Sequence, residues 1–184
     1  MRILGVDPGT HRTGTGLIES SGGGAQYTLV HAEVITLNSK HPLPSRLYQI
    51  FQKISSLISD YQPSVLALEN VFFGRDLTAM VKIGEARACA MLAASKHRIE
   101  VVEYAPARIK QAVSGNGRAT KAQMQYMIKQ LLNLKSVPPT DAADALAIAV
   151  CHLHSSKNPK TARISSWRSP QALKAFHARI AAET

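Results

Sequence analysis

Four acidic side chains stand where a carboxylate is unfavourable unless it is paired or binds a cation. Asp7 and Glu69 each end a short apolar run of the kind that forms a buried strand. Asp141 and Asp144 are three residues apart, so they share one face of a helix whose other residues are mostly apolar. Burial of a charged group in such a setting costs free energy unless a partner offsets it. We therefore take these four as candidates for one site.

The chemistry that such a group performs is metal-assisted phosphoryl transfer. In α/β sheets, sites form beyond the carboxyl ends of the strands, where Asp7 and Glu69 are expected. Four clustered carboxylates cannot all stay ionised without cations. All-oxygen ligation favours Mg²⁺, with Mn²⁺ as a substitute, and two such ions about 4 Å apart clamp both oxygens of an in-line displacement. The pattern predicts two Mg²⁺ ions per active site and phosphodiester hydrolysis.

The acids also have ordinary structural interpretations. Asp7 in Asp-Pro-Gly-Thr is typical of a turn, and Asp141 near a helix start complements the helix dipole. A strand followed by Asp-Pro-Gly-Thr also resembles the phosphate loop of sugar kinases and actin-like ATPases. Those proteins need two such domains, and 184 residues are too few for them.

Hydrophobic periodicity predicts the elements that position these acids. Three β-rich runs come first and strands then alternate with helices, which is typical of an α/β fold with a sheet of mixed direction. The predicted strands cover residues 2–7, 14–19, 27–37, 65–69 and 99–104. The predicted helices cover residues 44–60, 77–97, 119–134 and 141–154.

The composition favours a polyanionic partner. The formal net charge is +10, which suits nucleic acid. Two cysteines cannot make a disulfide framework, and no apolar stretch reaches the ~18 residues of a membrane span. We therefore expect a cytoplasmic, DNA- or RNA-associated protein.

Five blocks of sequence carry a more specific signal. They are Gly5-Val6-Asp7-Pro8-Gly9-Thr10, Thr13-Gly14-Thr15-Gly16, Leu68-Glu69-Asn70-Val71-Phe72, Lys110-Gln111-Ala112-Val113 with Gly115, Gly117, Ala119 and Lys121, and Asp141-Ala142-Ala143-Asp144-Ala145-Leu146-Ala147. In this order, across residues 1–154, they resemble the RuvC Holliday-junction resolvases of the ribonuclease H-like superfamily.

The resemblance implies a fold, a reaction and partners. The fold is ribonuclease H-like, with a five-stranded mixed β-sheet flanked by α-helices. The activity is that of a Mg²⁺-dependent crossover junction endodeoxyribonuclease, a homodimer that makes paired symmetric nicks in four-way DNA junctions during recombination and repair. The RuvA–RuvB branch-migration complex is the implied partner. The catalytic metal ligands are the four acids, Asp7, Glu69, Asp141 and Asp144.

Further residues are candidates for contact with DNA. The resemblance assigns Phe72 to the opening of base pairs at the junction centre, and Lys110 and Lys121 to the scissile strand. Phe73 alternates with Phe72, so one of the two rings is expected at the surface, where it stacks on bases. Arg118 closes a glycine-containing loop, residues 114–118, whose backbone amides are candidates for phosphate contact.

The chain divides into a nuclease domain, residues 1–154, and a basic C-terminal tail, residues 155–184. The tail holds six lysine and arginine residues and one acid, and a short amphipathic helix is predicted over residues 170–182. The long helix predicted at 77–97 is the candidate dimer interface, because its apolar residues spread around more than one face. A homodimer supplies the two identical active sites that suit a two-fold symmetric substrate.

Two other functions stay open on the sequence. The acids alone do not separate a DNA junction nuclease from a ribonuclease H-like nuclease that acts on structured RNA. A non-catalytic junction-binding protein is the other alternative, although carboxylates that face phosphates bring such a protein no advantage.

Overall fold

Six strands and five helices lie in the described residues, 1–21, 26–70, 77–156 and 165–166, of this computed structural model. The strands are β1 (Arg2–Asp7), β2 (Arg12–Ser21), β3 (Gln26–Thr36), β4 (Val65–Glu69), β5 (Glu100–Tyr104) and β6 (Ser165–Ser166). The helices are α1 (Leu43–Tyr61), α2 (Leu77–Lys96), α3 (Pro106–Ser114), α4 (Lys121–Leu131) and α5 (Thr140–Ser156).

The strands form one mixed sheet in the order β3-β2-β1-β4-β5-β6. The first three strands are antiparallel neighbours, whereas β4 runs parallel to both β1 and β5. The predicted five-stranded mixed sheet is therefore confirmed. The two-residue strand β6, which was not predicted, extends the sheet by antiparallel pairing with β5.

Alternating side chains along the central strands fill two separate cores. Leu4 and Val6 point to the face that α1 and α2 cover, and Ile3 points to the face that α3, α4 and α5 cover. The strand β4 shows the same alternation, with Leu66 and Leu68 on the first face. This period of two is what a strand covered on both faces requires.

Glycine residues in β1 and β2 let α5 lie directly against the sheet. A Cβ atom on Gly5 would overlap the backbone oxygen of Ala145, and one on Gly16 would lie 2.7 Å from the backbone nitrogen of Leu146. Real Cβ contacts of this length are essentially never seen. The close approach places the first turns of α5, which carry the two aspartates, at the end of β1.

The helix α3 is the main element that the sequence prediction missed. It has nine residues and buries only Ile109 and Val113, so its apolar pattern is too short to stand out. Pro106 occupies its first turn, and Gly115 ends it with a left-handed φ of 73°. The next helix, α4, begins behind a capping box formed by Thr120 and Gln123.

Most of the predicted C-terminal tail lies outside the described residues. That includes the helix predicted at residues 170–182, so the helix and the division at residue 155 stay predictions. Among the described helices, none is both long and apolar enough to cross a bilayer.

Candidate active site

Two acidic residues end neighbouring parallel strands. In the pairing of β1 with β4, Val6 lies opposite Leu68. Asp7 and Glu69 follow one residue later, so they stand side by side at the carboxyl ends of the two strands. The sequence left open whether these two strands are neighbours, and the structure shows that they are.

A cavity of about 310 Å³ opens at this end of the sheet. The acids Asp7, Glu69 and Asp144 line it, together with Lys110 and Lys121. The other described lining residues are largely apolar: Pro106, Ile109, Met124, Ala147 and Ile148. The cavity is thus lined by charged and apolar side chains from β1, β4, α3, α4 and α5.

The carboxyl group of Asp7 has a strongly raised pKa. Its pKa is raised from 3.8 to about 7, first by burial and then by repulsion from Asp144, Glu69 and Asp141. The ammonium group of Lys121 opposes the shift. The effect of all three other acids on one carboxyl group shows that the four interact electrostatically.

The pKa values of Glu69 and Asp144 are raised as well, and burial is the largest cause for both. Repulsion from Asp144 adds to the shift of Glu69, and Asp141 adds to that of Asp144. The charges of Lys110 and Lys121 lower both pKa values. The cavity therefore holds negative charge that two lysines balance only in part.

Asp141 is oriented differently from the other three acids. Its Oδ2 accepts a hydrogen bond of 2.6 Å from Nε of Arg12, and both side chains are partly exposed. It is absent from the described residues that line the cavity. The structure therefore brings three of the predicted carboxylates to one cavity, while the fourth is paired with an arginine at its edge.

The donor set suits a hard divalent cation. Within the described residues, no three His, Cys, Asp or Glu side chains are grouped as ligands around one point. Even so, Asp7, Glu69 and Asp144 offer only carboxylate oxygens, the ligands that Mg²⁺ and Mn²⁺ prefer. A bound cation would also relieve the mutual repulsion that raises their pKa values. The residues present fit such an ion.

The predicted DNA-contacting residues have different positions. Lys110 lies on α3 and Lys121 on α4, and both line the cavity. Arg118 is exposed in the loop between those helices and is not part of the described lining. Phe72 and Phe73 lie outside the described residues, so their predicted roles stay predictions.

The loop between α3 and α4 does not offer its amides to a phosphate. The amide of Gly117 donates to Oε1 of Gln111, and the amide of Arg118 donates to Oδ1 of Asn116. The amides of residues 115, 116 and 119 also have acceptors within the chain. The hypothesis of a backbone phosphate cradle is therefore wrong for this conformation, which leaves side chains to make such contacts.

Comparison with known proteins assigns the chain to a family. Residues 3–152 match the family model of the crossover junction endodeoxyribonuclease RuvC. The chain belongs to the RuvC family. The RuvC crossover junction endodeoxyribonuclease of Alkaliphilus metalliredigens is 46% identical over 156 residues, which are 84% of this chain and 94% of that relative.

Solved RuvC structures share the fold. The structure of Thermus thermophilus RuvC superposes with a TM-score of 0.80 and 33% identity, over 89% of this chain and 99% of that one. A second structure of that protein, in complex with a Holliday junction substrate, gives a TM-score of 0.82 and 32% identity, over 89% and 98% of the two chains. The predicted RuvC resemblance and its ribonuclease H-like fold are confirmed.

Two arginines beside the site of this RuvC-family chain were not predicted from the sequence. Arg12 pairs with Asp141, and Arg87 donates a hydrogen bond of 2.6 Å to the backbone oxygen of Glu69. In the sequence, Arg12 is only a charged residue shortly after the turn that follows β1, and Arg87 is only a single arginine within an alanine-rich helix. Neither pattern indicates a partner, because a long side chain reaches across elements that periodicity treats separately.

Proposed function

We propose that this chain is a structure-selective endonuclease that resolves four-way DNA junctions by paired symmetric nicks in recombination and repair. The observation that carries the proposal is a cavity lined by Asp7, Glu69 and Asp144 in a chain that matches RuvC over residues 3–152. The T. thermophilus RuvC structure in complex with a Holliday junction substrate supports the choice of substrate.

The acids of the cavity would hold divalent metal ions. We assign Asp7, Glu69 and Asp144 as ligands, with Asp141 as the fourth through the oxygen that Arg12 leaves unbonded. The proposed ions are Mg²⁺, two per active site, with Mn²⁺ as a substitute. When bound, two such ions stabilise the attacking and the leaving oxygens of an in-line displacement at phosphorus.

The protein's own groups prepare the site for a phosphodiester. Lys110 and Lys121 supply positive charge at the cavity for a DNA phosphate, and they offset part of the rise in the pKa values of Glu69 and Asp144, which favours the ionised forms that bind metal. The apolar side chains of Ile109 and Met124 also line the cavity, where they limit the access of water.

Contacts outside the cavity complete the proposed interface with DNA. Arg118 reaches the backbone of a neighbouring strand from its exposed loop, and Phe72 or Phe73 stacks on bases near the junction centre. A stacked base contributes roughly 1–3 kcal/mol. These roles rest on the sequence and on the family resemblance.

A homodimer is part of the proposal, because two symmetric nicks need two active sites. Support comes from α2, where Leu77, Val81 and Leu92 are exposed by 70%, 61% and 61% although all are apolar. They follow helical spacing and form what we call the α2 stripe. The RuvA–RuvB complex as partner and a cytoplasmic location complete the proposal.

One experiment tests the function directly. The protein is incubated with a synthetic four-way junction, a linear duplex of the same sequence and an RNA–DNA hybrid, with and without Mg²⁺. The proposal expects paired cuts in the junction only, and only with the metal. Preferential cutting of the hybrid would favour the RNA nuclease, and tight junction binding without cutting would favour a binding protein.

A further inference from the structure

A largely buried arginine links the helix α2 to the candidate metal ligand Glu69 from the far side of the sheet. Arg87 projects from α2, and its Nη1 donates a hydrogen bond of 2.6 Å to the backbone oxygen of Glu69. Its Nη2 forms an ion pair with Oε1 of Glu103 on β5. The two side chains of that pair are only 12% and 4% exposed.

The geometry of the guanidinium group explains why both contacts are made together. Arginine presents several N–H donors in a rigid planar fork, so one arm holds Glu103 while the other holds the end of β4. In the register of β4 with β5, Leu68 pairs with Glu103. The two groups that Arg87 contacts, the backbone oxygen of Glu69 and the carboxylate of Glu103, therefore lie on adjacent strands. Burial lowers the pKa of Arg87, because it disfavours the charged form. A charge kept here must be offset by such specific partners.

The contact of Arg87 is made at Glu69, the last residue of β4, where movement of the backbone would displace a candidate metal ligand. The strand β4 ends at Glu69, and the amide of Asn70 continues the pairing with β5 by donating a hydrogen bond of 2.8 Å to the backbone oxygen of Tyr104. The carboxyl side chain of Glu69 lines the cavity. A hydrogen bond that holds the backbone oxygen of Glu69 therefore constrains the position from which its side chain extends into the cavity.

We propose that Arg87 is a positioning residue that holds the backbone of Glu69, so that its carboxylate can bind the divalent metal ion. The inference rests on the proposed function, because it assumes that Glu69 is a metal ligand. It also joins the site to α2, whose exposed face carries the α2 stripe. In metal sites, residues that orient a ligand cost roughly 10- to 100-fold in metal affinity or activity when they are lost.

Two substitutions separate the positioning contact from the buried charge pair. Arg87→Lys keeps a positive charge for Glu103 but replaces the two nitrogens that make the two contacts by a single one, so we expect it to lose the contact with Glu69. Glu103→Gln keeps a hydrogen-bond acceptor for Arg87 and leaves the contact with Glu69 in place. If either variant unfolds, the double variant R87Q/E103Q removes both charges together and leaves neither buried alone.

The test measures Mn²⁺ affinity of the full chain without DNA by calorimetric titration, beside junction binding without metal and the kcat for junction cleavage. We expect Arg87→Lys, and R87Q/E103Q if used, to lose roughly 10- to 100-fold in Mn²⁺ affinity and in kcat at unchanged junction affinity. Glu103→Gln should stay within about threefold of the wild type in Mn²⁺ affinity.

Three results would overturn the assignment of Arg87. They are wild-type Mn²⁺ affinity in a folded Arg87→Lys or R87Q/E103Q protein, equal losses in Arg87→Lys and Glu103→Gln, and no Mn²⁺ binding by the wild type. A wild-type chain that binds Mn²⁺ but does not cut junctions refutes the proposed function instead, and the Mn²⁺ comparison still decides the role of Arg87.

Discussion

Gly14 on β2 lies directly beneath the backbone of Asp141 on α5, with no room for a side chain between them. A Cβ atom at position 14 would overlap the backbone carbonyl of Asp141. The glycine spacing in β2 therefore has a physical purpose, since it sets how closely the helix with two of the acids approaches the strand that carries Asp7.

Gly14→Ala is expected to push the start of α5 away from the sheet. The overlap is with backbone, so it cannot be relieved by a change of rotamer, and overpacking of this kind costs typically 1–3 kcal/mol. We expect a lower free energy of unfolding by that amount, and junction cleavage reduced more than 10-fold, because Asp144 moves with the helix. Urea unfolding and cleavage rates check this, and wild-type values for both would contradict the close contact.

The metal-free protein should lose stability as the pH rises from 4 to 7. The folded pKa of Asp7 is about 7 against an ordinary value of 3.8, so in this range the folded state keeps a proton that the unfolded chain has released. Stability falls with pH wherever the folded state binds more protons. The raised pKa values of Glu69 and Asp144 act in the same direction.

Asp7→Asn removes the largest of these shifts. We expect the variant to gain stability relative to the wild type between pH 5 and pH 8, by on the order of 2–4 kcal/mol, measured by urea unfolding in EDTA. The same stability difference at both pH values would show that Asp7 does not titrate in a buried, negatively charged setting.

Lys121→Gln should move the pH dependence of cleavage to higher pH. The lysine lowers the pKa values of Asp7, Glu69 and Asp144, so its loss makes them ionise at higher pH. If it also contacts a phosphate, the dependence of junction affinity on salt should weaken by about one ion. Lys129→Gln, two turns further along α4, is the matched control. Equal effects of the two substitutions would exclude a specific role for Lys121.

Leu92→Glu should convert the proposed dimer to a monomer. Leu92 is 61% exposed in the α2 stripe, so a glutamate there is solvated in the monomer but unfavourable in an apolar interface. Tyr126→Glu is the control, because Tyr126 is 57% exposed on α4. Light scattering after gel filtration gives the mass of each variant. A dimeric Leu92→Glu protein, or a monomeric wild type, would contradict an interface on α2.

Sequence reasoning placed the acids well because strand ends and helix faces follow from simple periodicity. Asp7 and Glu69 were expected at the carboxyl ends of strands, and the register of Val6 with Leu68 adds that these strands are neighbours. Asp144 reaches the same cavity because side chains three residues apart on α5 share a face.

The rest of the site depends on contacts that no local pattern encodes. The pairing of Arg12 with Asp141 joins residues 129 positions apart, and that of Arg87 with Glu69 crosses from a helix to the end of a strand. The helix α3 contributes Lys110 to the cavity, yet its two buried residues give too weak a period to predict it. Long charged side chains and short helices are settled by tertiary packing.

Cleavage by Asp7→Asn tests whether the acids around Asp7 hold the metal ions on which DNA cleavage depends. The variant and the wild type are compared on one labelled four-way junction, for binding in EDTA and for cleavage in Mg²⁺. We predict equal binding, because the basic surface is unchanged, and cleavage slower by about 100-fold or more. Mg²⁺-dependent paired cutting by the variant at the wild-type rate would show that cleavage does not need Asp7 as a metal ligand.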